Sequence, residues 1–253
     1  MSPPSAAIAV DWSGALDGGK HVWLAHVIGE ELVTLQGGWK ADELVRWLVD
    51  RAARDPGFVV GFDFAFGFPA WFATRLGQSM VATWAEATTR GEAWLRDEEP
   101  PFWGRQRKRP PAVDGQARLR RTDTAHNSKS VFQIGGAGHV GTGSIRGMPL
   151  LARLRSNGFA IWPLDPVVFP LVIEIYPRVL TGSVVKSDPA ARRSYLDRMG
   201  WPKDPELRLR IGDSEDAFDA AVSARKMADH LSNFVTLPPG DEIDRLEGRI
   251  WTL

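Results

Sequence analysis

Three carboxylates stand inside runs that are otherwise apolar: Asp11 in AIAVDWSG, Asp63 in VVGFDFAFGF and Glu174 in LVIEIYP. Read as strands, such runs turn successive side chains to opposite faces. Phe62, Phe64, Phe66 and Phe68 then share one face, and Asp63 lies on the other with Gly61, Ala65 and Gly67. Asp11 shares its face with Ala7 and Ala9, so small neighbours leave room beside both acids, whereas Glu174 has Val172 and Tyr176 beside it. A further pair, Asp216 and Asp219 in GDSEDAFDAAVSARKMADHL, falls on one face of a helix. Ala217, Phe218, Ala220, Ala221 and Val222 surround Asp219 and turn it into the fold.

A buried ion costs several kcal/mol even after relaxation. Several uncompensated carboxylates therefore cost on the order of 10 kcal/mol, comparable to the stability of a whole domain. Basic partners, protonation or bound cations must offset that, and Mg²⁺ or Mn²⁺ takes carboxylate oxygens without needing a neighbouring lysine. Local readings compete. Asp11 and Asp63 suit strand ends that cap a turn, Glu174 suits a pair with Arg178, and Asp213, Ser214, Glu215 and Asp216 suit a helix N-terminus. Asp219 lies too far into its helix for capping to explain it.

The elements that must carry these residues follow from periodicity. Ala6 to Val10 reads as a buried strand ending at Asp11, and Val22–Val27 and Glu31–Leu35 as a hairpin turning at Gly29. Leu44, Val45, Trp47, Leu48 and Ala52 give residues 41–54 a helical period. Phe58 to Phe66 is another strand. Residues 70–133 form an insertion, helical from Trp71 to Leu95 and then rich in Pro and Arg. Strands at 131–134, 159–162 and 171–176 and helices at 150–155, 189–199 and 214–231 follow, with an edge strand at 249–253. The expectation is one α/β domain over residues 1–253, a mixed sheet with helices on both faces and a helical and irregular insertion.

Composition narrows the chemistry. The 253 residues include no cysteine, which removes disulfides and thiolate metal sites. Formal charge is zero, so a nucleic-acid partner needs a local patch. No stretch approaches the roughly 20 apolar residues of a membrane span, and MSPPSAAIAVDWSG lacks a basic n-region, so a cytoplasmic protein off the membrane is expected. The run Arg105, Arg107, Lys108, Arg109, Arg118, Arg120 and Arg121 holds a single acid, Asp114, and is the candidate phosphate-contacting arm, with Phe102 and Trp103 able to stack on bases; a solvated loop is the alternative. Gly136, Gly138 and Gly141 satisfy G-x-G-x-x-G, with Asp165 further on. Gly143, Gly147 and Pro149 argue against a helix opening there, and so against dinucleotide binding, leaving a loop whose backbone N–H groups approach phosphate or a plain connection. His21, His26, His126, His139 and His230 show no metal-ligand spacing.

In order along the chain, AVDWSG, GFDFAFGFP, FQIGGAGHVGTGSIRGMPLL, VIEIYPR and DSEDAFDAA resemble an uncharacterised family of predicted RNase H-like nucleases, and EDAFDAAVSA is similar to the last motif of RuvC-type nucleases. The resemblance implies a central sheet with a long first hairpin and acids on the first and fourth strands and the last core helix. Carried onto this chain, these are Asp11, Asp63, Asp216 and Asp219, with Glu174 in the family's EIYP motif as a further catalytic candidate. It implies two Mg²⁺ or Mn²⁺ ions, Asp11 bridging them, hydrolysing the phosphodiester bonds of a nucleic acid. Lys20 and Arg146 are candidates for steadying transition-state charge. Two other readings remain: an ATP-using or nucleotide-binding protein built on the glycine loop and the DWSG turn, and a catalytically silent binding module of the same fold.

Overall fold

The computed structural model describes residues 1–15, 21–104, 109 and 116–253. Short β-branched and alanine-rich runs build an antiparallel meander. In it, β1 (Ala6–Asp11) pairs with β2 (Trp23–Ile28), which turns through Gly29 (φ +57°) into β3 (Glu31–Gly37). Helix α1 (Ala41–Arg54) has Asp42 and Glu43 in its first turn and Arg51 and Arg54 in its last, the charge order its dipole favours. Strand β4 (Phe58–Phe62) then returns parallel to β1. Further on, β6 (Leu171–Glu174) lies parallel to β4, and the short β5 (Ala160–Ile161) parallel to β6. The order is β3-β2-β1-β4-β6-β5, with β2 running against the rest. The protein is α/β with a mixed six-strand sheet.

Alternation divides the core in two. Ala6, Ile8, Val10, Phe58, Val60, Phe62 and Val172 face α1, α3 (Met80–Asp97) and α5 (Gly141–Ser156). Ala7, Ala9, Ala25, Val59 and Ile173 face α6 (Pro177–Thr181), α7 (Pro189–Met199), α8 (Pro205–Asp213) and α9 (Glu215–Ala228). Small residues on both surfaces, including Ala217, Ala220, Ala221 and Ala224, let α9 lie against β1 and β2. Helices thus cover both faces, as expected. The chain is completed by α2 (Ala70–Arg75), α4 (Arg121–His126), a 3-10 helix at Leu231–Thr236 and α10 (Glu242–Glu247). Among the described residues no helix is long and apolar enough to cross a membrane.

Several elements differ from the sequence expectation. The strand predicted to reach Phe66 ends at Phe62. Asp63 N–H still bonds Val10 O at 3.1 Å, but Ala65 N–H donates to Ser144 Oγ and Phe66 N–H to Glu174 Oε2, both at 3.0 Å. The chain therefore leaves the sheet directly after Asp63. Phe62, Phe64, Phe66 and Phe68 do enter one core, but Ala65 joins them instead of sharing the face of Asp63. Residues 71–95 form two helices, broken at Gly77 (φ +127°) and Gln78 (φ +61°), with Ser79 Oγ capping α3. At 131–134 and 249–253 there are single bridges, Trp103 to Gln133 and Glu174 to Ile250, in place of strands.

The described part of the insertion packs into the main core. Phe72, Trp94, Phe102 and Phe132 close around Phe68, with Phe68 and Phe132 stacked at 5.6 Å, in the same buried cluster as β1 and β4. Phe102 and Trp103 are 2% and 8% exposed, so neither presents a face for base stacking.

Helix α5 starts at Gly141, inside the glycine motif and well before the predicted start at Leu150. Its glycines serve close packing. A Cβ at Gly147 would stand 2.7 Å from the Phe64 ring, and one at Gly14 (φ +64°) would stand 2.5 Å from Gly143 Cα. The helix thus presses on the turn that follows Asp11. No strand precedes this motif, only the Gln133 bridge, so it lacks the strand–turn–helix context of a dinucleotide site. Gly14→Ala should destabilise the protein by about 1–3 kcal/mol through its left-handed φ and the clash. Gly143→Ala, where a Cβ meets nothing closer than 3.4 Å, should be neutral or stabilising by up to about 1 kcal/mol. Thermal unfolding of the two variants checks this, and equal Tm values would refute the close approach.

Candidate functional site

Asp11 and Asp63 stand at the carboxyl ends of β1 and β4, adjacent parallel strands from which the chain departs in different directions. Open α/β sheets bind ligands at such a point. Asp11 has the parity of Ala7 and Ala9, and so faces α9. Asp63 has the parity of Gly61, where a Cβ would meet Ile175 and Met227 of that same side at 2.7 and 2.9 Å. From α9, Asp219 enters the site, 9% exposed. Its Oδ2 accepts from Lys186 Nζ at 2.8 Å, while its Oδ1 is buried without a hydrogen-bond partner. Asp216, one turn earlier and 34% exposed, stands 3.4 Å from His21 Nδ1.

These acids act on one another electrostatically. Burial pushes the Asp11 carboxyl well above its usual range, and Asp63, Asp219 and Asp216 add to the shift. Burial and then Asp219 raise Asp63 to about 7, against a hydrogen bond with the Asp11 side chain. Burial raises Asp219 to about 6, against the pull of Lys186. Among the described residues, Lys186 is the one Lys or Arg within ion-pair distance of any of the four. The sequence reading missed it; it lies in the SVVKSD connection between α6 and α7, where no periodicity marks it. No group of three or more His, Cys, Asp or Glu among the described residues is already spaced as a metal-ligand set. What suits a divalent cation is the donor chemistry, carboxylate oxygens alone, and the unpartnered buried oxygen of Asp219.

Glu174 lines the same cavity as Asp63 and adds to its raised pKa, but its side chain is engaged differently. It pairs in register with Phe62 and so points to the opposite face from Asp63. There Arg120, 2% exposed, donates to Glu174 Oε1 at 2.6 Å and Oε2 at 2.8 Å, to Asp123 Oδ1 at 2.8 Å and to Glu247 O at 3.0 Å. The partner expected for Glu174, Arg178, is thus replaced by Arg120 from the insertion. With Phe66 N–H as a further donor, both Glu174 oxygens are matched by protein donors, which leaves none for a cation. Arg120 and Arg121, expected in the phosphate-contacting arm, are both engaged elsewhere; Arg121 binds Asp241 and Asp244 at 2.7 and 2.5 Å. Arg109 lies over the Trp103 ring at 5.8 Å. Lys20, Arg105, Arg107 and Lys108 lie outside the described residues.

Arg146 is not poised over the acids. It donates to Gly14 O at 2.8 Å and to Glu92 at 2.7 and 3.0 Å, clamping the turn after Asp11. Trp12 Nε1 donates to Gly143 O at 2.9 Å and fixes the same turn from within. Beside Asp63 opens a cavity of about 360 Å³, bounded by Trp12, Phe64, Tyr176, Ser128, Lys129 and His139 among others. Gly136 and Gly138, both with positive φ, are exposed in the loop that brings His139 to its rim. Lys129 and Tyr176 are site-lining residues that the sequence reading did not single out.

No family model, curated protein or solved structure matches the chain.

The raised Asp63 has a consequence for stability. Its ordinary value is 3.8 and its folded value about 7. Between these, the folded state holds a proton that the unfolded state releases, so this group's contribution falls as pH rises through that window. His26, lowered to about 4 by burial, acts in the opposite sense over part of the window, and Asp219 and Asp11, both raised, act in the same sense as Asp63, so a bare pH profile mixes them all. Asp63→Asn isolates the effect. In EDTA it should raise Tm at pH 8 and change it little at pH 5. A variant equally stable relative to wild type at both pH values would show that Asp63 is not held protonated by its surroundings.

Proposed function

We propose that the protein is a metal-dependent nuclease of the RNase H-like kind, hydrolysing phosphodiester bonds. The observation that carries this reading is the convergence of the buried Asp11, Asp63 and Asp219 on one another, with Lys186 the single ammonium beside them among the described residues and one carboxylate oxygen unpartnered. The first hairpin and the placing of the acids at the ends of β1 and β4 and on α9 support it, since the sequence resemblance implies acids on the first and fourth strands and the last core helix. Mg²⁺ or Mn²⁺ held by Asp11, Asp63 and Asp219, with Asp216 at the rim, would supply Lewis-acid stabilisation of charge at phosphorus and lower the pKa of an attacking water.

The chain's own groups prepare that chemistry. Trp12 and Arg146 hold the turn after Asp11 against α5, so its carboxylate is presented by a rigid strand end. Ser144 and Glu174 anchor the amides just past Asp63 and do the same for that acid. Lys129 and His139, exposed at the cavity rim, are placed to meet the flanking phosphates of a nucleic acid. The glycine loop contributes by carrying His139, not by cradling a nucleotide.

Incubation with labelled single-stranded, duplex, hybrid and junction substrates tests the reading. Cleavage of at least one is expected with Mg²⁺ or Mn²⁺ and none with EDTA. Asp11→Asn should lower the rate on the order of a thousandfold or more. Cleavage that persists in EDTA, or that Asp11→Asn leaves intact, would contradict it.

A further inference from the structure

We propose that the centre takes a single divalent cation, with Lys186 filling the place that a second ion would hold in a two-metal site. This rests on the metal-site reading above and narrows the two ions that the sequence resemblance implies. Among the described residues, Asp11, Asp63 and Asp219 bring three negative charges when ionised, and Lys186 returns one positive charge beside them. The remaining two are what one divalent cation balances. Asp216 adds to the field at Asp11 from the rim, but it is 34% exposed beside His21, where water screens most of its charge.

The two oxygens of Asp219 show how the places are divided. Oδ2 is occupied by the Lys186 ammonium at 2.8 Å, and Oδ1 is buried with no partner. A carboxylate that bridged two ions would need both oxygens, and a second ion would have to displace an ammonium whose side chain is only 12% exposed. Expelling Lys186 would leave a buried charge without its partner, a costly exchange. The free oxygen, together with Asp11 and Asp63, supplies a carboxylate set for one ion. Lys186 acts here through Asp219 and is a positioning residue: it holds the carboxylate so that one oxygen points to the metal, and supplies fixed positive charge where a two-metal enzyme uses a cation.

Mn²⁺ stoichiometry tests this without reference to cleavage. Isothermal titration calorimetry and native mass spectrometry should give one ion per wild-type chain, one for Lys186→Arg, and two for Lys186→Met, in which the pocket regains its full negative charge. Electron paramagnetic resonance of the saturated proteins should show an isolated ion in wild type and a coupled pair in Lys186→Met. Two ions in wild type would overturn the proposal and leave the metal-site reading standing. No ion in wild type would overturn both. One ion in a folded Lys186→Met would show that the ammonium does not hold a cation's place. If Lys186→Met does not fold, the stoichiometries of wild type and Lys186→Arg decide.

Discussion

Three buried carboxylates brought together with, among the described residues, one ammonium to answer them form the constraint around which the rest of the structure is arranged. Burial first and repulsion from neighbouring acids after it push Asp63 up to about 7 and Asp219 up to about 6, so the folded protein favours protons that the unfolded chain would release. Proteins do not keep such a strained group for stability, since apolar residues of similar size do as well or better. The fold nevertheless holds these acids firmly. Alanines on β1 and α9 bring helix and sheet together beside Asp11, and glycines on α5 bring a second helix onto the turn that follows it. Firm placing of unbalanced charge is what a cation-binding centre requires.

The opposite face of the sheet shows the same residue types solved the other way. Arg120 meets Glu174, Asp123 and the Glu247 carbonyl with its donors, and Glu174 takes the Phe66 amide as well. Every charge there has a partner. That network joins the 70–133 insertion, the end of β6 and α10, and so locks the insertion into the main core. Two buried acid groups a few residues apart in space thus have different meanings, decided by whether their oxygens are matched.

Much of this was legible in the sequence. The hairpin, α1 and α7 follow from periodicity, turn glycine and capping, and the facing of Asp11 and Asp219 follows from their small neighbours. The partner of Glu174 was not legible because alternation gives relative faces within a strand but not the register between strands. Only the pairing of Glu174 with Phe62 shows that it lies across the sheet from Asp63. Helix α5 was shortened because glycines and Pro149 weaken an isolated helix, whereas here close packing on Phe64 and the Gly14 turn outweighs propensity. The arginine-rich run looked like one surface arm, but Arg120 and Arg121 turn inward and sideways to acids distant in sequence. Lys186 was invisible for the same reason: a lone lysine in a connection carries no local signature of the acid it meets.

Diffraction from crystals soaked in Mn²⁺, collected at a wavelength that reveals the metal's anomalous signal, tests the account most directly. A peak coordinated by Asp11, Asp63 and the free oxygen of Asp219 is the predicted result. An empty anomalous map, with those oxygens satisfied by protein donors alone, would contradict it.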